Sequence, residues 1–227
     1  MKLYAVTDEY IDYLRQFDSK VYDNKEDKRK VMRKYLGIVL TINEMNYYIP
    51  MSSPKKSDYK DNKIRKSIVP IVRIISNEEI DNIPVLKGTL RISNMIPVPD
   101  SELILYEPKY EKNKNYKILV EKELEFIEKN EDMIKKYASI IYNQKNNGYD
   151  VSYIKNVVDF KLLEQKCKEY KKSKSRNLEK GIVFFSYLLY TNSINECKHC
   201  LHFVCKKLEN MVKNNTNNII NIKGYNP

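Results

Sequence analysis

The first apolar stretch, Lys2 to Val6, is short and alternating and predicts a strand. Tyr10, Ile11, Tyr13, Leu14 and Phe17 then recur at near-helical spacing. Residues 9–17 therefore read as a short amphipathic helix, with Asp8 placed to cap it. Tyr10 and Tyr13 read as core-edge packing rather than as platforms for bases. Residues 18–34 are polar and charged and read as a connector. Tyr35 to Ile42 predicts a second strand, with Gly37 as a bulge or a point of close approach. A turn at Glu44 to Asn46 returns the chain as a hairpin strand over Tyr47 to Ile49. Another strand is expected over Ile68 to Ile75. Leu90 and Ile92 belong to a further one, and Ile92 to Pro99 reads as a strand ending in a proline-punctuated corner. The period then changes. Apolar residues from Tyr116 to Tyr142 fit one helix of about seven turns or two shorter ones, closed by Asn146-Asn147-Gly148. Val151 to Tyr170 predicts another amphipathic helix. Residues 2–106 thus hold five or six short strands joined by polar loops. That spacing favours an α+β fold, a small and strongly bent antiparallel sheet or barrel capped by helices, over a parallel βαβ fold.

Composition narrows the partners. The chain has 227 residues, 42% of them hydrophobic, enough for a sizeable core. Its net charge of +11 and isoelectric point of about 9.2 suggest a polyanion, with nucleic acid ahead of an anionic membrane surface. The heavy use of Lys, Asn and Ile also fits an AT-rich genome. Acids stand where the apolar core of a leader would lie, and no apolar run approaches the roughly 20 residues that span a bilayer. The chain is therefore expected to be cytoplasmic, with no membrane partner. Cys197, His199, Cys200, His202 and Cys205 crowd into one stretch, whereas structural zinc sites pair two ligand couples about a dozen residues apart or more. No metal or other cofactor is expected. Lys171 to Arg176 carries no apolar residue and marks a boundary between a domain over 1–172 and a helical extension over 173–227 with a frayed, Asn-rich end.

The candidate chemistry gathers at Pro50-Met51-Ser52-Ser53-Pro54-Lys55-Lys56. Both prolines fix φ and lack an N–H, so the segment between them is expected to leave the sheet as a stiff loop. It presents two hydroxyls and two ammonium groups, which suit phosphate oxygens. Tyr22 and Arg33 flank the preceding connector, and an arginine just before a strand can aim a rigid fork at a phosphate. A second basic stretch holds Lys56, Tyr59, Lys60, Lys63, Arg65 and Lys66. Basic side chains with an aromatic among them suit single-stranded RNA, and Lys30 and Lys34 of the first connector join that RNA-binding set.

Four stretches carry a family likeness. They are the Lys2-Leu3-Tyr4 start with its Tyr-rich helix, Arg33 to Leu40, Tyr48 to Lys55, and Gly88 to Val98; Asp159 to Glu164 looks like the family's closing helix. Residues 1 to about 170 resemble the ToxN/AbiQ family, the endoribonuclease toxins of type III toxin–antitoxin systems. The most specific element is the Ser-Ser-Pro-Lys loop followed by Asn94-Met95-Ile96-Pro97-Val98. The resemblance implies an SH3-like barrel related to the Kid and MazF toxins, with peripheral helices. It implies metal-independent RNA cleavage and an antitoxin that is a repeated RNA pseudoknot, bound in a cyclic protein–RNA assembly. It also implies a role in plasmid maintenance or abortive infection against phage. DNA is not expected as a partner. Residues 173–227 run past the family's usual end.

The reaction implied uses the substrate's own 2′-hydroxyl, which attacks the adjacent phosphate and expels the 5′-oxygen. The chain lacks an obvious metal-binding carboxylate constellation. Its histidines lie outside the family-like region, which argues against a histidine pair. Lys55 is expected to stabilise the pentavalent phosphate. Ser53, and secondarily Ser52, would bond its oxygens and relay a proton, with Tyr22 and Arg33 completing the site. An unperturbed serine is a poor base, so the acceptor of the 2′-proton is left unassigned. The competing reading is a non-catalytic RNA-binding module, which the same lysines would serve.

Overall fold

The computed structural model describes residues 1–24, 33–80 and 83–190, with 77–80, 83 and 177–190 described by backbone alone. It forms two compact units, Met1–Cys167 and the segment from Lys168 onward.

The first unit is built on one antiparallel sheet. Strand β1 (Lys2–Val6) leads into helix α1 (Asp8–Arg15), with Thr7 rather than Asp8 at the cap position. Strands β2 (Lys34–Ile42) and β3 (Met45–Ser52) form the expected hairpin. Its turn sits at Asn43 and Glu44, both with positive φ (49° and 62°), as a tight hairpin turn requires. The basic stretch folds into a miniature hairpin, β4 (Tyr59–Lys60) and β5 (Lys63–Ile64). Long strands β6 (Ile71–Ile80) and β7 (Ile83–Arg91) follow, then the short β8 (Ile96–Pro97) and β9 (Leu103–Tyr106). The sheet runs β6-β7-β3-β2-β1-β9, with β8 also on β3. Among the described residues no pairing joins edge strands β6 and β9, so the ladder is open rather than a closed barrel.

Gly37 does what its place in the pattern suggested. The pairing of β2 with β3 slips between Leu36 and Leu40, and a Cβ at Gly37 would collide with the Tyr48 ring. Pro50 behaves differently from expectation. The strand continues through it to Ser52 instead of stopping. On β3's outer side, Tyr48 pairs with β8 and Met51 with β7, so Pro50 falls between the two partners, where a missing N–H costs no ladder bond.

Other boundaries differ as well. Ile68 precedes a turn at Val69-Pro70, and β6 starts only at Ile71. Ile92 to Asn94 is a 3-10 turn rather than a strand. Of the two readings of the Tyr116–Tyr142 pattern, the structure takes the two shorter helices, α2 (Lys114–Lys129) and α3 (Glu131–Asn146), broken at Asn130. The segment from Val151 holds only a 3-10 turn, Ile154–Asn156, before α4 (Phe160–Tyr190) begins. Val157 and Val158 are buried in extended backbone and the Val158 N–H donates to Ser93 O at 3.1 Å, so tertiary contacts override their apolar periodicity. Asp159 then accepts from the Leu162 N–H at 3.1 Å, a side-chain cap where the helix starts. The Lys171–Arg176 stretch, read as a boundary, lies inside α4. Cys197, His199, Cys200, His202 and Cys205 lie outside the described residues.

The core is aliphatic and aromatic. Tyr10, Ile11 and Leu14 of α1, Ile134, Ala138 and Ile141 of α3, and Phe160, Leu163 and Cys167 of α4 are all fully buried. Tyr47, Tyr142 and Phe160 pack as a trio with centroids 5.3–5.9 Å apart. The phenols of Tyr47 and Tyr142 both donate to Glu164 Oε1, at 2.6 and 2.7 Å. Burial first, and this bond second, push the Tyr142 hydroxyl up to about 12 and Tyr47 higher still. The buried start of α4 is thereby fastened to the hairpin that carries the serine–lysine loop. Among the described residues no helix is long and apolar enough to cross a membrane.

Candidate active site

β3 delivers Ser52 as its last residue. Ser52 is buried, its carbonyl accepts from Thr89 Oγ1 at 3.2 Å, and its own hydroxyl has no hydrogen-bond partner among the described residues. Ser53 and Lys55 are exposed. After Pro54 the chain enters a 3-10 turn, Lys56–Asp58. Here the loop is tied to itself: the Lys55 N–H donates to Asp58 Oδ2 at 2.9 Å and the Asp58 N–H returns to Lys55 O at 2.9 Å. Asp58 is only 1% exposed and carries two more bonds. Arg91 Nη2 reaches Oδ2 at 3.2 Å, and Arg73 Nη2 forms an ion pair with Oδ1 at 3.1 Å. One carboxylate therefore joins the loop to β6 and β7.

Arg33 and Tyr22 approach from the other side. The Arg33 guanidinium lies 4.5 Å from the Tyr22 ring centroid, and Lys55 Nζ lies 5.9 Å from the same centroid. The structure thus brings Ser52, Ser53, Lys55, Tyr22 and Arg33 together. The guanidinium that the sequence reading aimed at a phosphate is nonetheless 1% exposed. It donates to Met51 O at 2.9 Å and, through Nε and Nη2, to Asp23 O at 3.3 and 3.2 Å. Arg33 fastens the connector to the strand just before Ser52 and supports the ring beside Lys55.

The RNA-binding set divides. Lys56, Tyr59, Lys60, Lys63, Arg65 and Lys66 are exposed along the 3-10 turn and the β4–β5 hairpin, whose turn residues Asp61 and Asn62 have positive φ. Lys34 sits apart: it is buried on β2, opposite Ala5, with Nζ 3.9 Å from the Tyr106 ring centroid. Burial pulls its ammonium below the ordinary lysine range, against the pull of Glu111. Lys30 lies outside the described residues.

Three charged residues were not singled out from the sequence: Asp58, Arg73 and Arg91. They floor a cleft of about 550 Å³ lined also by the basic hairpin. Burial lowers the Arg73 guanidinium from its ordinary value; Asp58 opposes this, and Arg91 and Arg65 add to it. The one signal in the sequence was a lone arginine inside each of two apolar strands. Glu123 of α2 was also missed. Burial alone pushes its carboxyl up to about 8, and it occupies the space a Cβ at Gly88 would fill, next to the β3–β7 pairing of Ser52 and Thr89. Among the described residues no three His, Cys, Asp or Glu side chains group closely enough to hold a metal ion.

The family model of the toxin ToxN of type III toxin–antitoxin systems matches residues 2–168. The endoribonuclease AbiQ of Lactococcus lactis subsp. lactis is 38% identical over 178 residues, covering 76% of this chain and 90% of AbiQ. The endoribonuclease ToxN of Bacillus thuringiensis subsp. kurstaki is 30% identical over 193 residues, covering 81% and 92%. The solved structure of AbiQ, a lactococcal anti-phage endoribonuclease, superposes with a TM-score of 0.64 at 36% identity, over 75% of this chain and 98% of that one. A second solved structure, from a system whose toxin is selectively inhibited by a non-coding RNA pseudoknot, gives 0.62 at 30% identity over 75% and 97%. The chain belongs to the ToxN family, the toxins of type III toxin–antitoxin systems.

Proposed function

We propose that the protein is a cytoplasmic endoribonuclease toxin that cleaves RNA without a metal and is held inactive by a repeated RNA pseudoknot antitoxin in a cyclic protein–RNA assembly. The observation that carries this reading is the tethered loop. An exposed serine and an exposed lysine stand beside Tyr22 on a segment that Asp58 and Arg33 hold from both sides. Preorganised charge of this kind accelerates phosphoryl chemistry because it needs no rearrangement as the transition state forms. The 2′-hydroxyl gives up its proton as its oxygen bonds to phosphorus, the bond from phosphorus to the 5′-oxygen breaks and that oxygen takes up a proton, and the products are a 2′,3′-cyclic phosphate and a 5′-hydroxyl. Lys55 stabilises the added negative charge, and Ser53 donates to a phosphate oxygen. Ser52 supports the same oxygens from its strand end. Arg33 and Tyr22 act by position, fixing the wall against which Lys55 rests. Lys30 and the exposed residues Lys56, Tyr59, Lys60, Lys63, Arg65 and Lys66 are assigned to RNA binding on the same reading, whereas the buried Lys34 packs against Tyr106. Endoribonuclease relatives and a relative inhibited by an RNA pseudoknot support it. Kinship with the SH3-like Kid and MazF toxins belongs to the same reading. The extension over 173–227 is a separate unit on this reading.

The test is to incubate the protein with a mixed RNA pool in excess EDTA and map the product ends. Cyclic phosphate and 5′-hydroxyl ends are expected. Ser53→Ala and Lys55→Ala should each lower the rate on the order of 10²- to 10³-fold and abolish toxicity while the fold survives. Intact RNA from folded, RNA-free protein would leave a non-catalytic RNA-binding module in its place, and full cleavage by both variants would remove the assignment of these residues.

A further inference from the structure

The cleft beneath the basic hairpin holds more positive charge than the protein neutralises. Its floor sets two buried guanidiniums, Arg73 and Arg91, against the single carboxylate of Asp58. A third, Arg65, lies on the rim, close enough to disfavour the charge on Arg73. Lysines extend the rim, and among the described residues no second acid lines the cleft. Buried cations in excess of their partners are costly unless an anion completes them. Guanidiniums in particular match phosphate in a planar, two-point geometry. The remaining lining is apolar, with Ile64, Ile68 and Ile71, and Ile68 is 49% exposed. A cavity that offers guanidiniums and an aliphatic surface side by side suits a phosphate with a base attached. It suits bare inorganic phosphate less well.

We propose that this cleft is a nucleotide subsite. It takes the phosphate of one RNA nucleotide flanking the cleaved bond on the Arg65–Arg73–Arg91 cluster and seats the base of that nucleotide against Ile68. The inference rests on the reading of RNA as substrate and deepens it. Asp58 links the subsite to the reaction, because its Oδ2 accepts both from Arg91 and from the Lys55 N–H. A nucleotide that draws on Arg91 acts on the same oxygen that positions the loop. The subsite would contribute to choosing where the RNA is cut.

The experiment uses the full chain, in wild-type form and as the surface double variant Arg65→Ala/Ile68→Ala. Adenosine and uridine 5′-monophosphates and inorganic phosphate are titrated by calorimetry, and each is tested as a competitor of RNA cleavage. A mononucleotide should bind more tightly than phosphate and compete with RNA. The double variant should weaken it about tenfold and raise the KM for RNA. A second variant, Arg73→Lys, keeps the charge but not the fork and should weaken mononucleotide binding without unfolding the protein. Unchanged mononucleotide binding in both variants would overturn the proposal. Tight mononucleotide binding that leaves RNA cleavage uninhibited would also overturn it, marking the cleft as a site for a free nucleotide. Wild-type protein that cleaves RNA but binds no mononucleotide removes the subsite and leaves the endoribonuclease reading standing. Protein that binds the mononucleotide but cleaves no RNA removes the endoribonuclease reading and the subsite with it, leaving a site for a free nucleotide.

Discussion

Replacing Asp58 by alanine removes the one carboxylate that serves Arg73, Arg91 and the Lys55 N–H, at 3.1, 3.2 and 2.9 Å. Both guanidiniums stay buried, 4% and 7% exposed as whole residues, and lose their counter-charge. Breaking a buried ion pair from one side costs about 3–5 kcal/mol, chiefly because the remaining charge is left uncompensated. For a unit the size of Met1–Cys167, each kcal/mol lowers the melting temperature by about 2–4 °C, so Asp58→Ala should melt about 6–20 °C below the wild type. Asp58→Asn keeps the volume and one acceptor oxygen and should fall between the two. The double variant Asp58→Ala/Arg73→Leu removes one of the stranded cations and should recover part of the loss, a coupling that independent sites would not display. Thermal unfolding followed by circular dichroism reads all four proteins. RNA cleavage measured well below the lowest midpoint then isolates the loop: with its tether gone, Lys55 should stabilise the phosphate less well, and the rate should fall while the protein remains folded. A midpoint for Asp58→Ala within about 2 °C of the wild type would refute the claim that this carboxylate holds the cluster. Full cleavage by a clearly destabilised Asp58→Ala protein would refute its link to Lys55.

Glu123 should make stability depend on pH. Its folded carboxyl titrates near 8 against an ordinary 4.5, so between those values the folded protein keeps a proton that the unfolded chain has released. Stability should therefore fall as pH rises through that window, by about 1.4 kcal/mol per unit at most, and Glu123→Gln should flatten the slope of the melting temperature; an unchanged slope would show that the carboxyl is not held protonated. Gly37→Ala drives a methyl into the Tyr48 ring and should destabilise by about 1–3 kcal/mol in a denaturant titration, with Tyr48→Ala on the same chain relieving the clash. Tyr47→Phe removes one of the two phenols on Glu164 and should lower stability by about 1–3 kcal/mol, which an unchanged urea midpoint would contradict.

Much of this protein could be read from local pattern. Alternation located β1, and two apolar runs joined by a turn located β2 and the start of β3, because such local signals do not depend on what the strand pairs with. Gly37 announced a close approach because no other residue lacks a Cβ. The Ser52–Lys55 segment stood out because prolines on either side of its hydroxyls mark a stiff turn, although β3 runs on to Ser52 before that turn begins. The likeness to the ToxN family rested on such contiguous stretches, and it held. What depended on distant partners was not legible. Pro50 looked like the end of a strand, and only the switch from β8 to β7 beside it made room for the missing N–H. Val157 and Val158 kept a helical period but are extended, because Ser93 and the core hold them so. Lys34 looked solvated in a basic connector and is buried against Tyr106. Arg33 promised an open fork and instead clasps two carbonyls. Above all, Asp58, Arg73 and Arg91 are far apart in the chain, and each alone is an unremarkable charge. A buried charge is stable only where partners converge on it, and that convergence is set by strand order, which the spacing of residues along one chain does not encode.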